Sequence, residues 1–283
     1  MDRKSIFEIL ESDLDYAEEI KKMEYLFRVK GRDYSIYEIV QGNYLNWQHR
    51  NTTIDVFSLY KALGFIEIFQ MPFDFSISIT QEMFLRYCEM MSNLLYVYYD
   101  APDFDRDDEK NKKASSILEN IKTGLGKLGY HAFVVKGEKK IIVVQDNCAA
   151  TLAAELVDVA NSKRIMEYNR YLLQGDLARK KDILKNLADL FEGKRKQLDA
   201  NNAKSLSDDI GFLLNSLDIR HNNREGKNKN TYLRQLTTKD LEEWYDKTYS
   251  LIVAAIITIE RIEIGKDVAL LKAAVEKAKK ETR

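Results

Sequence analysis

The sequence predicts a mainly α protein: an N-terminal helical region carrying one small β-hairpin, then an antiparallel helical bundle. Three observations lead there. The 283 residues include only 2 Pro and 12 Gly, so little in the chain breaks a helix. Apolar residues recur at three- and four-residue spacing along most of its length. One stretch alone carries a clear hairpin signal, two apolar runs joined by turn residues. Hydrophobic residues make up 45% of the chain and charged residues 31%, which supports a sizeable core and excludes general disorder. The length fits one large domain or two ordinary ones. The expected division is residues 1–147, a sensor or regulatory part, and residues 148–283, the bundle.

The first helix is marked by Ile6, Ile9, Leu10, Leu14 and Ala17, with acids on the opposite face. Ser35 to Val40 and Thr53 to Leu63 continue the pattern, and Gly64 ends the second. Phe65–Ile79 reads as extended chain, because it contains Pro72 and alternates in Phe73, Phe75, Ile77 and Ile79. A helix over about 80–99 follows. Asp100–Lys113, polar and containing Pro102, predicts a loop and a candidate boundary. A helix over 114–128 stops at Gly129. Phe133-Val-Val, the turn Lys136-Gly-Glu-Lys and Ile141-Ile-Val-Val then predict a hairpin over about 133–144. Its apolar runs are continuous, so helices must cover part of it.

From Cys148 onward the pattern is helical throughout. Helices are expected over 149–160 and 163–174. Gly175-Asp176 supplies a stop and an N-cap for a helix reaching about residue 198. Another starts near Ser205 or Ser207 and carries Leu206, Ile210, Leu213, Leu214 and Leu217. After the polar loop Asn222–Asn230, Thr237 or Thr238 caps a long helix with Leu241, Trp244, Tyr245, Leu251, Ile252, Ala255, Ile256 and Ile259 on one face. Gly265 is expected to end it, leaving Lys266–Arg283 as a basic, Ala-rich amphipathic helix.

Several chemistries lack their residues. No GxxxxGK(S/T) loop and no GxGxxG after a strand is present to cradle phosphates. No HExxH, no zinc-spaced Cys/His set and no GxSxG elbow occurs. Neither metal nor cofactor is expected. The acidic run from Asp103 to Glu109 lacks the Gly and terminal Glu of a calcium loop and reads as solvated. A net charge of −1 excludes coating of nucleic acid by the whole surface. Residues 1–100 carry 16 acids against 10 bases, which argues against DNA binding there. Cys88 and Cys148 cannot form a disulfide framework, and the charged, periodic N-terminus is unlike a leader. The longest apolar run falls far short of a membrane span. A cytoplasmic location is expected.

The strongest local signal runs from Leu217 to Gly226, LDIRHNNREG. Helical spacing places His221 four residues after Leu217, on the buried stripe, and Arg220 three after it. An arginine and a histidine would thus emerge where that stripe ends. Arg224, Lys227, Lys229 and Arg234 follow, so Arg220 to Arg234 holds five bases against one acid, Glu225. Such a patch suits RNA phosphates. It also suits metal-independent RNA cleavage, in which the ribose 2′-OH attacks the adjacent phosphorus. Histidine titrates near neutrality and serves as acid or base. Arginine steadies the developing phosphate charge. Asn222 and Asn223 can hold substrate oxygens or orient the imidazole. The same residues equally make a structural helix end, His and Arg complementing the macrodipole and Asn-Asn forming a turn.

These residues resemble the motif of the HEPN superfamily, in particular its divergent prokaryotic members of the abortive-infection, phage-defence type. The resemblance covers residues 163–262, four helices with the motif between the third and fourth. Arg220 matches the family's catalytic arginine, His221 its polar position and Gly226 its glycine. Glu225 stands where the shortest family spacing places histidine. The resemblance implies a helical bundle, a homodimer whose two motifs share one cleft, and RNA as partner. Arg220, His221, Asn222 and Asn223 are then the catalytic candidates, and Arg224, Lys227, Lys229 and Arg234 the phosphate-binding ones. The N-terminal region would meet a protein trigger. The leading expectation is a defence-type RNA-binding protein with metal-independent cleavage as its available chemistry. The alternative is a non-catalytic interaction or dimerisation module with an Arg-His cap.

The remaining features read as structural. Trp47-Gln-His-Arg50 near Tyr44 mixes aromatics with a cation but fits a buried aromatic beside a helix end. Tyr96, Tyr98 and Tyr99 suit a helix-to-core cluster, and Trp244 and Tyr245 suit bundle anchors. Lys194-Arg-Lys reads as a solvated helix face, His131 has no evident partner in sequence, and neither cysteine has the surroundings of a nucleophile.

Overall fold

The computed structural model describes residues 14–30, 33–69, 78–102, 107–220 and 235–281. The described chain is mainly α, with one two-stranded antiparallel sheet. It divides into two compact units, Met1–Asp146 and Asn147–Arg283.

In the first unit, α1 (Tyr16–Arg28) opens on Asp15, whose carboxylate accepts the Ala17 and Glu18 N–H groups. Its inner face buries Ile20, Met23 and Phe27. Reciprocal capping boxes open α2 (Ile36–Asn43, by Ser35 and Glu38) and α3 (Val56–Ala62, by Asp55 and Ser58). Two 3-10 turns, Tyr44–Asn46 and Gln48–Arg50, lie between them. Gly64, at φ 80°, provides the left-handed stop. Extended chain was expected from Phe65, but Ile66–Phe69 forms a helical turn, α4, that buries Ile68. The alternation Phe73, Phe75 and Ile77 falls outside the described residues. Of the first periodic helix, Ile6, Ile9 and Leu10 also lie outside them, whereas Leu14 precedes the Asp15 cap and Ala17 lies in α1.

The centre of this unit is α5 (Gln81–Asp100), capped by Thr80 and buried without a break from Met90 to Leu95. A run buried on every side of the helix has to be enclosed by its neighbours. Beside it, α6 (Asp108–Lys127) starts earlier than the polar composition of 100–113 suggests. Asp107 accepts the Lys110 N–H at 2.8 Å and the Lys110 ammonium at 2.6 Å, turning an acidic run into a helix start. Gly129, at φ 74°, closes α6 and releases β1 (Tyr130–Val135), which pairs with β2 (Lys140–Gln145) from Tyr130↔Gln145 to Val135↔Lys140.

The free edge of β2 is closed by side chains of α5. Asn93 accepts the Ile141 N–H at 3.0 Å and donates to the Ile141 carbonyl at 2.7 Å, as a neighbouring strand would. Glu89 accepts the Val143 N–H at 2.8 Å. Those edge groups are thereby paired rather than left as a template for another chain. The buried run Ile142–Val144 confirms that the hairpin is covered.

In the second unit, the two helices expected over 149–160 and 163–174 are present as α7 (Cys148–Glu155) and α8 (Val159–Tyr168), the latter starting earlier than expected on its cap Asp158. The predicted stretch 163–174 ends at Tyr168 and continues as a 3-10 turn, Tyr171–Leu173. Then come α9 (Leu177–Asp199), α10 (Lys204–Ser216) and α11 (Thr238–Glu281). Side-chain pairs give their directions. Arg195 meets Asp208 and Lys181 meets Asp218, so α9 and α10 run antiparallel. Lys180 meets Glu242 and Gln197 meets Glu263, so α9 and α11 run parallel, as alternate helices of an up-down bundle do. Ile183, Leu184, Leu187, Ile210, Leu214 and Ile252 fill the space between them.

Gly265 does not end α11. The helix continues to Glu281, 44 residues in all, or roughly 66 Å at 1.5 Å per residue. Glycine inside a helix costs only about 1 kcal/mol, and flanking strong helix formers carry the chain through. From Glu263 to Lys280 every side chain is exposed. No helix among the described residues is long and apolar enough to cross a membrane.

Candidate functional site

The motif flanks meet at one end of the second unit. Asp218, just after α10, holds Lys181 at 2.9 Å, while Lys180 beside it holds Glu242 near the start of α11 at 2.8 Å. The start of α11 is fixed by Thr237, whose hydroxyl accepts the Asp240 N–H, while the Asp240 carboxylate accepts the Thr237 N–H and hydroxyl.

Arg220 is the one predicted catalytic residue within the described chain. His221, Asn222, Asn223, Arg224, Lys227, Lys229 and Arg234 lie outside it. The helical spacing used to put Arg220 on the stripe of Leu213 and Leu217 does not hold. α10 ends at Ser216, Leu217 is its cap, and Asp218 adopts a left-handed backbone at φ 62°. That reversal buries Ile219 and lets the Arg220 N–H reach back to the Leu214 carbonyl at 3.3 Å. The half-buried Arg220 guanidinium turns to Glu192 of α9, at 3.0 Å. Glu192 also lies 3.8 Å from Arg195, which reaches Asp208 at 3.5 Å, so the arginine joins a ladder of alternating charge.

Next to this turn sits a cluster that sequence reasoning missed. The Lys180 ammonium, almost wholly buried, bridges Glu242 at 2.8 Å and Asp246 at 2.7 Å. Tyr168 donates to Asp246 at 2.9 Å and stacks on Tyr249, ring centroids 4.0 Å apart. The Lys180 ammonium lies 5.3 Å from the Tyr168 ring centre. Burial opposes the charged form of Glu242, but Lys180 and the Gly175 N–H outweigh it and hold the carboxyl below its ordinary range. Burial, then the Asp246 charge, drives the Tyr168 phenol far above its ordinary value. Lys180, Glu242, Asp246 and Tyr168 satisfy one another, and the Tyr249 hydroxyl donates to the Ile165 carbonyl at 2.8 Å, which describes a structural joint. Its only sequence signal is the i,i+4 pair Glu242 and Asp246, ordinary on any helix.

The first unit holds a second buried cluster. Glu24 of α1 accepts from Arg28 at 2.6 Å, from Tyr87 at 3.0 Å and from the Tyr60 hydroxyl. Arg28 lies 4.2 Å from the centre of the Phe69 ring and donates to the Phe69 carbonyl at 3.2 Å. Burial, reinforced by Glu24, pushes both phenols well above their ordinary values.

The minor candidates resolve as follows. Trp47 packs edge-on to Tyr44, and the His49 ring bonds the Glu138 carbonyl in the hairpin turn. Trp47 lines a cleft of about 270 Å3 with Asn43, Asn46, Tyr96 and Lys139. Tyr98 is buried and donates to Asn111 at 2.9 Å. His131, without a partner in sequence, meets Asp146 at 2.6 Å across the hairpin. Burial raises the Cys88 thiol far out of nucleophile range. Lys194 borders an apolar groove of about 310 Å3 floored by Phe191, Ile252 and Ile256. Arg220 lines neither cleft. Among the described residues no three His, Cys, Asp or Glu side chains are placed to hold a metal ion.

No family model, curated protein or solved structure matches the chain.

Proposed function

We propose that the chain is a HEPN-like, defence-type protein that binds RNA through Arg220–Arg234. The observation that carries this reading is the charge of that segment, five bases against one acid in a chain of net charge −1. Its flanks are tied together at one end of the bundle through Asp218–Lys181 and Lys180–Glu242. Arg224, Lys227, Lys229 and Arg234 engage phosphates, while Asn222 and Asn223 position the backbone. In cleavage, His221 of one copy removes the 2′-OH proton, and His221 of a second copy protonates the leaving oxygen. The new bond joins the 2′-oxygen to phosphorus, and the bond to the 5′-oxygen breaks. Arg220 steadies the phosphorane charge once its contact with Glu192 is exchanged for phosphate. The protein acts in the cytoplasm, and residues 1–147 receive the trigger.

The test is fluorescence anisotropy and gel analysis with single-stranded RNA in EDTA. Wild type binds and cuts. His221→Ala binds without cutting. Replacing Arg224, Lys227 and Lys229 by Ala weakens binding and reduces the salt slope by about 0.7 for each phosphate no longer neutralised. Absence of RNA binding at low salt rejects the reading.

A second reading is favoured by one contact. The Arg220–Glu192 pair at 3.0 Å already occupies the guanidinium and closes the α10 exit. On this reading the chain is a non-catalytic interaction module, and Arg220→Ala lowers the melting temperature without touching any RNA activity.

A further inference from the structure

The last third of α11 carries an apolar seam that its own bundle does not cover. Ile264, Val268, Leu271 and Val275 follow one another at spacings of four, three and four, and are 53%, 42%, 64% and 44% exposed. This is the a/d repeat of a coiled coil, with Val268 and Val275 at a and Ile264 and Leu271 at d. Arg261 occupies the preceding a position, so the seam begins where α11 leaves the bundle. A lone helical stretch of this length is marginal in water, and Gly265 weakens it further. A partner helix would stabilise it.

We propose that residues 264–278 form a parallel, in-register, two-stranded coiled coil with a second copy of this chain. The charges flanking the seam select that partner. Asp267 falls at g and Lys272 at e, so in a parallel pair each Asp267 faces Lys272 of the other copy. An antiparallel pair would instead set e against e (Gly265, Lys272, Lys279) and g against g (Glu260, Asp267, Ala274), so neither Asp267 nor Lys272 would meet an opposite charge. β-Branched Val at a with Leu at d favours two strands over three or four. The inference does not rest on the RNA reading, because the seam lies on a different part of the unit from Arg220, and its test contains no RNA.

The experiment measures the mass of the full chain by light scattering and sedimentation. Wild type is expected at twice the 33.0 kDa of one chain, with dissociation on dilution. Val268→Asp with Leu271→Asp is expected to run as a monomer with an unchanged bundle, since both side chains are exposed. Asp267→Lys weakens the dimer, and Asp267→Lys with Lys272→Asp restores it. In a Cys148→Ser background, Val275→Cys cross-links to itself under mild oxidant, as a parallel pair requires. A chain that stays monomeric throughout, a dimer indifferent to the double Asp variant, or failure of the cross-link overturns the proposal.

Discussion

Glu24 shows at residue scale how a single buried charge disciplines its surroundings. It is completely buried and holds one guanidinium and two phenols. Removing Arg28 by an Arg28→Ala substitution leaves that carboxylate without its counter-ion, which should cost roughly 3–5 kcal/mol in urea unfolding. The phenols give the pH dependence. Their folded pKa values lie above the unfolded value of about 10. The folded form therefore retains protons that the unfolded form has lost, and stability declines as pH rises above about 10. Tyrosinate absorbance from Tyr60 and Tyr87 should then appear together with unfolding rather than before it. On the acid side, Glu242 works in the opposite sense. Its folded value is depressed by Lys180, so its contribution is complete above about pH 4.3 and is lost as pH falls. Lys180→Met should raise the Glu242 pKa toward or above its ordinary range and shift the acid unfolding midpoint upward. Arg220 is a smaller matter for stability. Its pair with Glu192 is partly exposed, so Glu192→Gln should cost about 1 kcal/mol or less in unfolding. On the RNA reading the same substitution should tighten RNA binding several-fold at low salt.

Elements depend on contacts that cross between them. The hairpin holds its place because Asn93 and Glu89 complete the outer edge of β2. Asn93→Leu should leave the Ile141 N–H and carbonyl unpaired, at about 1–3 kcal/mol for each group, and should raise their hydrogen-exchange rates first. The contact between α5 and α6 requires glycine at position 124, where an added Cβ would come 2.8 Å from Phe84 Cζ. Gly124→Ala should therefore destabilise by roughly 1–3 kcal/mol, while Gly265→Ala, with nothing within 4 Å, should raise helicity and stabilise α11 by about 1 kcal/mol. Circular dichroism and thermal unfolding distinguish the two. Elements were legible in sequence wherever a local signal sufficed. Gly64 and Gly129 sit at positive φ where stops were expected, Asp176 caps α9, and the turn near Lys136-Gly137 joins the strands. The expected stop at Gly265 failed because glycine ends a helix only when the chain turns left-handed there. The expected continuation of α10 to His221 failed for the converse reason, since Asp218 makes that turn without glycine.

At the scale of the molecule, two units each carry their own core, one organised around α5 and one around α9 and α11. Residues 147–283 expressed alone should keep a helical spectrum and a cooperative melt, since Lys180–Glu242, Lys181–Asp218 and the core of Leu187, Leu214 and Ile252 all belong to that unit. The mainly α class, the hairpin near Lys136-Gly137 and the antiparallel bundle were determined by the sequence itself, because helical period, strand runs and turn residues act over a few positions and need no distant partner. The candidate segment Arg220–Arg234 was legible as composition and as the motif LDIRHNNREG. Tertiary structure alone decided that Arg220 turns back to Glu192, that Lys180 is sealed between Glu242 and Asp246, and that the end of α11 stands clear of its bundle. Each of these depends on which residues far apart in sequence come within a few ångströms, and periodicity along one helix carries no record of what packs against it.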